Sequence, residues 1–324
     1  MTDNGGIMRF VIGTRGSKLA LTQAEYVRTC LLENFPEHIF ELKIIKTKGD
    51  VILDRPLNKI GDKGVFVREI EEQLLSGEIQ IGVHSMKDMP SMPAEGLMFT
   101  KAWKREDNRD VLILREADSV DELPKGAVIG TGSARRALQL RKLRADIKVV
   151  GIRGNVDTRI RKMHEEKLDG IVLAAAGLKR LSMENVITTY LDIDEMVPAP
   201  AQGVLALEIR CGNKKLEEML DFLSDEETVF ETEAERGFLK EMNADCHTPV
   251  GAACIPVEGA FDSNSGQQLH EIKENNKSSN KHKLITVFGK DDKSDLIYAE
   301  VVGNDPLDMA HKAAKIIKEK GNME

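Results

Sequence analysis

The sequence predicts an α/β protein: two units with largely parallel sheets, followed by a smaller α+β unit. Three observations carry this. At 324 residues the chain is too long for one ordinary compact core, and about two or three domains are expected. Short β-type runs alternate with amphipathic helical patterns over residues 9–103, and the same alternation returns after Arg109, the grammar of parallel sheets. From Val250 the pattern shifts to a smaller α+β unit that closes with a helix near Leu307–Lys318.

In the first unit, Phe10–Gly13 reads as a strand, a helix begins near Leu19, Phe40–Lys46 is a second strand, and a helix runs from Phe66 to Leu75. Gly77 stops that helix and Ile79–Val83 follows as a strand. After Arg109 the strands are Val111–Leu114, Val128–Gly130, Lys148–Ile152 and Gly170–Leu173, separated by helices. The proline-rich segment Val197–Gly203 cannot be helical and reads as a crossing loop into the strand Val204–Ile209, a candidate hinge. An acidic helix of roughly Glu226–Met242 comes next; Asp225, Glu226 and Glu227 suit the positive end of its dipole, and Cys246 lies just past its end. The stretch Asp262–Lys283 holds only Leu269 and Ile272 as large apolar residues and reads as a long mobile loop.

Composition narrows the function classes. With 41% hydrophobic and 31% charged residues, and no run near the roughly 18 apolar residues of a membrane span, a soluble protein is expected. The start of the chain lacks the pattern of an export signal, so a cytoplasmic location is expected. Cys30, Cys211, Cys246 and Cys254 lie far apart without a Cys-x-x-Cys pair, and form neither a zinc framework nor a disulfide set. A formal net charge of −8 argues against nucleic acid and anionic membranes as partners. Yet Thr131–Lys162 carries ten Lys/Arg against two acids, which suggests a local site for a compact polyanion.

Five segments can carry chemistry. Gly13-Thr14-Arg15-Gly16-Ser17-Lys18 joins a strand to a helix; it suits a carboxylate or phosphate, or else Ser17 is an ordinary N-cap. Val83-His84-Ser85-Met86-Lys87-Asp88-Met89-Pro90 ends a strand, and Pro90 keeps Met89 extended so that Lys87 and Asp88 face a cleft, unless they are a surface ion pair. Gly130-Thr131-Gly132-Ser133-Ala134-Arg135-Arg136 places two hydroxyls and two arginines at a helix start; the arginines serve two carboxylates, or one ligand and one structural partner. Gly151-Ile152-Arg153-Gly154-Asn155-Val156-Asp157-Thr158-Arg159 feeds a helix whose first turn offers guanidinium groups. Ala174-Ala175-Ala176-Gly177-Leu178-Lys179-Arg180 lets backbone approach a ligand, with Arg180 as another anchor. Such junctions line one edge of a sheet, so several arginines there are harder to dismiss than one.

Thr14-Arg15-Gly16-Ser17, Lys63-Gly64-Val65-Phe66-Val67, Val83 to Asp88, Arg153-Gly154-Asn155-Val156, Ala175 to Leu181 and Gln202-Gly203, in this order and spacing, resemble the motifs of the porphobilinogen deaminase family. The resemblance runs from about Phe10 to Pro256 and is weaker beyond. It implies two doubly wound solute-binding-protein-like domains plus a small α+β domain: 1–103 plus 204–221, 104–203, and 222–324 with the mobile loop 262–283. The implied activity is a transferase that condenses four porphobilinogen molecules, with loss of ammonia, to hydroxymethylbilane in haem and tetrapyrrole biosynthesis. By resemblance Asp88 is the catalytic carboxylate, and Cys246 carries a dipyrromethane cofactor through a thioether. Arg15, Ser17, Ser85, Lys87, Thr131, Ser133, Arg135, Arg136, Arg153, Asn155, Arg159 and Arg180 would hold acetate and propionate groups, and Lys59 and Lys63 would sit on a loop over the cleft. A monomer is implied, with porphobilinogen as the small-molecule partner.

Two departures from the family pattern stand out: Ala244-Asp245 stands where Gly-Gly often precedes the cysteine, and Gly132 where serine is common. The rival readings are a two-lobed carboxylate-binding protein without catalysis, which has no use for Cys246, and a nucleic-acid binder, which the 4% aromatic content disfavours. An intact mass above that of the sequence separates the enzyme from both.

Overall fold

The computed structural model describes residues 6–47, 67–244, 248–257 and 281–323. Its first sheet contains β1 (Arg9–Arg15), β2 (Ile39–Ile45), β3 (Ile81–Ser85), β4 (Leu97–Phe99) and β10 (Leu205–Arg210) in the order β2-β1-β3-β10-β4. The second contains β5 (Asp110–Leu114), β6 (Val128–Gly130), β7 (Lys148–Val150), β8 (Gly170–Ala174) and β9 (Thr189–Tyr190) in the order β7-β6-β8-β5-β9. Both sheets therefore place one reversed strand fourth: β10 runs antiparallel to β3 and β4, and β5 antiparallel to β8 and β9. The chain enters the second sheet through β5 and returns to the first through β10, so it crosses between them twice. This is the doubly wound arrangement expected, although β4 and β9 are too short to stand out as periodic runs.

Local chemistry explains the helices. Helix α1 (Lys18–Asn34) is capped by the Ser17 hydroxyl, which accepts from Ala20 N, and it buries Gln23, Ala24, Val27 and Leu31 along one stripe. That stripe packs with Phe10, Ile12 and Ile81 of the first sheet. Helix α2 (Arg68–Ser76) starts with Glu69 and Glu71 and ends where Gly77 adopts φ 79°, a left-handed turn that suits glycine. In the second unit, α3 (Ala134–Leu143), α4 (Val156–Glu165) and α5 (Ala175–Arg180) connect the strands. β5 is buried on both faces: Leu112 and Leu114 enter one core cluster and Val111 and Ile113 another. Each such side chain contributes about 1.5–3 kcal/mol on burial.

The third unit is an antiparallel sheet of β11 (Val250–Pro256), β12 (His282–Phe288) and β13 (Ile297–Gly303). Helices α7 (Glu226–Glu241) and α8 (Pro306–Gly321) pack on it through Ala234, Phe238, Met309, Ala313 and Ile317, together with Cys254. Helix α6 (Lys214–Asp221) follows β10. Ile285 and Val287 of β12 pack on Val197, which docks this unit against the crossing loop.

One expectation needs correction. The loop read over 262–283 ends earlier, because His282 and Lys283 open β12. Composition misled there: His282 is buried, its Nε2 lies 2.6 Å from Glu227 Oε1, and its ring stacks on Phe230. The stretch 262–280 lies outside the described residues. Among the described residues no helix is long and apolar enough to cross a membrane.

Candidate functional site

Parallel strands carry their following loops to one edge of a sheet, and the two reversed strands bring the crossing segments to the same edge. Leu205 pairs with Ser85 and Asp110 pairs with Ala174, so Gln202 and Asp110 arrive beside the ends of β3 and β8. There β3 runs into a single 3-10 turn, Met86–Asp88, whose Met86 is buried while Asp88 is exposed and Lys87 half-buried.

Hydrogen bonds join the two sheets at this edge. Lys87 Nζ donates to Gln202 Oε1 at 3.2 Å. The buried Gln202 amide in turn donates to the Asn108 carbonyl (2.8 Å) and to Asp110 Oδ1 (2.9 Å). Asp110 is fully buried and takes both arginines of α3: Arg135 Nη1 at 2.7 Å, and Arg136 through Nε at 3.1 Å and Nη2 at 2.7 Å. Arg135 also donates to the Val197 carbonyl and Arg136 to that of Val172. The sequence left open whether these arginines serve ligands or a structural partner; Asp110 pairs with both here.

The electrostatics follow from this packing. Burial alone would raise the Asp110 carboxyl, but the charges of Arg135 and Arg136, with their hydrogen bonds, outweigh it and hold the group well below the usual carboxylate range. Burial lowers Lys87 to about 8, against the opposing pull of Asp88 and Asp110 and with the help of Arg136 and Arg135. Arg159, on α4, is likewise lowered by burial and then by the like charge of Arg136 and Arg153, while Asp88 pulls the other way. Asp88 and Arg136 thus act electrostatically on both Lys87, at the end of β3, and Arg159, on α4 of the second unit.

The remaining predicted residues occupy the same junctions. Ser17 and Ser133 are both N-caps, accepting from Ala20 N (3.2 Å) and Arg136 N (3.4 Å). A hydroxyl that accepts still has its own proton to donate, so capping does not remove either from a ligand. The buried Thr131 accepts from Ser133 N at 3.2 Å, and Ser85 from Gln23 Nε2 at 3.1 Å. Arg15 ends β1. Arg153 and Asn155 are exposed at the start of α4, and the Asn155 side chain makes no cap bond. Arg180 goes to the crossing loop, where Nη2 donates to the Gly203 carbonyl at 2.6 Å and burial lowers its guanidinium. Gly132 is exposed, and a Cβ there would meet the Ile152 carbonyl at 3.2 Å, a tight contact for the serine of the family pattern. Cys246, Lys59 and Lys63 lie outside the described residues.

Sequence reasoning missed Asp110 and gave Gln202 no role. Asp110 did leave a signal, since an acid opening an apolar strand must find a cation when the strand is buried. It also missed Arg105, a buried side chain on the first crossing. Its guanidinium donates to Glu231 (2.8 Å), to both oxygens of Glu235 (2.8 and 2.6 Å) and to the Gln202 carbonyl (2.9 Å).

The whole arrangement is a sheet edge rich in cations that also carries the exposed carboxylate of Asp88. It suits a ligand bearing several carboxylates, and a cation that develops beside Asp88.

Residues 10–218 match the family model described as porphobilinogen deaminase, dipyromethane cofactor binding domain. The chain is 52% identical over 312 residues to the porphobilinogen deaminase of Lachnospira eligens, spanning 96% of this chain and 99% of that protein. It is 53% identical over 269 residues to the porphobilinogen deaminase of Clostridioides difficile, spanning 81% of this chain and 89% of that one.

Proposed function

The chain belongs to the porphobilinogen deaminase family, and from that premise we propose which of its residues carry the chemistry. The reaction is that of a transferase: four porphobilinogen molecules are condensed head to tail, each with loss of ammonia, to give hydroxymethylbilane for tetrapyrrole biosynthesis. The cofactor is dipyrromethane, which when bound supplies the covalent primer for chain growth. The residues present fit such a group, because Lys87, Arg153 and Arg159 offer cationic donors to its carboxylates at one edge, with the hydroxyls of Thr131 and Ser133 on the adjoining junction.

In this reading Asp88 is the catalytic carboxylate. The observation that carries it is its placement as an exposed carboxylate that acts electrostatically on both Lys87 and Arg159. Departure of ammonia from porphobilinogen leaves a cation; Asp88 faces it and moves protons at the amine and pyrrole nitrogens. Lys87, Arg153 and Arg159 orient the acetate and propionate groups, while Asp110 and Gln202 hold Lys87 in place. Arg15, Ser17, Ser85, Thr131, Ser133, Arg135, Arg136, Asn155 and Arg180 complete the binding set, and Cys246 forms the thioether. Lys59 and Lys63 are assigned to a loop over the cleft. The domain division 1–103 plus 204–221, 104–203 and 222–324 is supported by the membership of the three sheets. We assign a monomer in the cytoplasm with no nucleic-acid partner.

The test is ammonia release from porphobilinogen by Asp88→Asn, with the cofactor confirmed by intact mass. The rate should fall by about 10²–10³-fold, the scale for a preorganised group aimed at developing charge. A wild-type rate would show that another group faces the cation. Cys246→Ser should fold without a mass adduct; an adduct in that variant moves the attachment elsewhere. Binding of porphobilinogen with no ammonia release by the wild type would favour the non-catalytic two-lobed binder.

A further inference from the structure

Helix α7 belongs to the third unit, yet one of its side chains grips the loop that bears Lys87 and Asp88. Arg236 Nη2 donates to the carbonyls of Pro90 (2.5 Å) and Ser91 (3.1 Å), and Nη1 to the carbonyl of Met86 (3.4 Å). These three carbonyls flank Lys87 and Asp88 on both sides. The guanidinium also lies over the Phe99 ring, 5.4 Å from its centroid. Among the described residues no carboxylate pairs with Arg236, and burial draws it down to about 10. For a half-buried cation that no carboxylate among the described residues pairs, these neutral carbonyls supply the hydrogen bonds that compensate its lost hydration.

The neighbouring residue fastens the other side of the cleft. Glu235 accepts from Ala201 N at 2.6 Å and from Cys254 N at 2.8 Å, and pairs with Arg105 at 2.6 Å. Consecutive residues of α7 thus tie the crossing loop and the Asp88 loop to a helix that Cys246 follows five residues later in the chain.

We infer that Arg236 is a positioning residue for Asp88: by holding carbonyls on both sides of Lys87 and Asp88, it makes the placement of the carboxylate depend on the helix that leads to the cofactor cysteine. It touches no reacting atom. The inference rests on the reading of Asp88 as the catalytic carboxylate, so Asp88→Asn is measured in parallel; activity there would fail that reading, whereas Arg236 can fail alone.

Arg236→Met and Arg236→Lys are purified, their cofactor is checked by intact mass and their fold by circular dichroism, and steady-state kinetics with porphobilinogen are recorded. Arg236→Met should lower kcat by about ten- to a hundredfold, since small misplacement of a catalytic group costs up to that much, with KM little changed. Arg236→Lys should recover part of the loss, because an ammonium can donate to Pro90 and Ser91 but lacks the fork that spans to Met86. A kcat within twofold of wild type in Arg236→Met overturns the inference, and so does a rise in KM at unchanged kcat, which would make Arg236 a binding group. If Arg236→Met fails to fold or to load cofactor, Arg236→Lys decides: lowered kcat at unchanged KM supports the positioning role, and wild-type kcat refutes it.

Discussion

Replacing Asp110 by Asn should expose how much of the fold one carboxylate holds. Asp110 is fully buried, and its partners Arg135 and Arg136 are only 4% and 6% exposed, so neither guanidinium can turn to water. Asparagine keeps the shape but removes the charge, leaving two buried cations facing each other with no anion between them. Removing one partner of a buried pair costs about 3–5 kcal/mol, a large part of the roughly 5–15 kcal/mol that holds a domain together. The comparison is best made in a Cys246→Ser background, by urea unfolding followed through far-UV circular dichroism, and then repeated in protein that carries the cofactor. In the adduct-free background the midpoint should drop by the equivalent of that cost. With cofactor bound the loss should be of similar size, because the two guanidinium groups are shut away from any carboxylate that arrives from solvent. The pH dependence has a definite sign: Asp110 is held below its unfolded value, so its stabilisation is complete above about pH 4 and is lost only as pH falls further, through the native value. An unchanged midpoint for Asp110→Asn in the adduct-free protein would refute the claim that the two arginines depend on this carboxylate.

Lys87 titrates at about 8 because of its burial, so its ammonium is lost as pH rises past that value. An unfolded lysine keeps its proton to about 10.4, so between these values the unfolded chain binds more protons and folding stability rises with pH while carboxylate binding weakens. KM for porphobilinogen should therefore climb between about pH 7 and 9.5, and Lys87→Gln should flatten the climb; a flat wild-type profile removes Lys87 from binding. Gly203→Ala should destabilise the crossing, since Gly203 has φ 91° and an added Cβ would lie 2.2 Å from the Glu106 carbonyl oxygen. Gly212→Ala is the control, with φ 86° and nothing within 4 Å, and should cost only the backbone strain of about 1–3 kcal/mol. Equal melting-temperature losses for the two would show that the close approach to Glu106 does not matter.

The architecture was legible in the sequence where it rests on local physics. Ser17 caps α1, Gly77 ends α2, and acids open α7, because capping, turn conformation and helix dipole act within a few residues. The strand-to-helix junctions that carry Arg15, Lys87, Arg135 and Arg159 were legible for the same reason, being breaks between two periodicities. The short edge strands β4 and β9 were not, since two or three residues hold no period. His282 was read as loop because its neighbours in sequence are polar, whereas its burial depends on Glu227 and Phe230, which only folding brings to it.

What the sequence alone determined is which side chains must leave water and where the chain must turn, because periodicity and local hydrogen bonding encode those. Only the tertiary structure decided what each buried group meets. The reversal of β5 and β10 sets Asp110 and Gln202 at the edge that already holds Lys87, and α7 lays Glu235 and Arg236 against segments more than thirty residues away. A buried charge states that it needs a partner, but its choice among many candidates is made by strand order and docking, which no local pattern records.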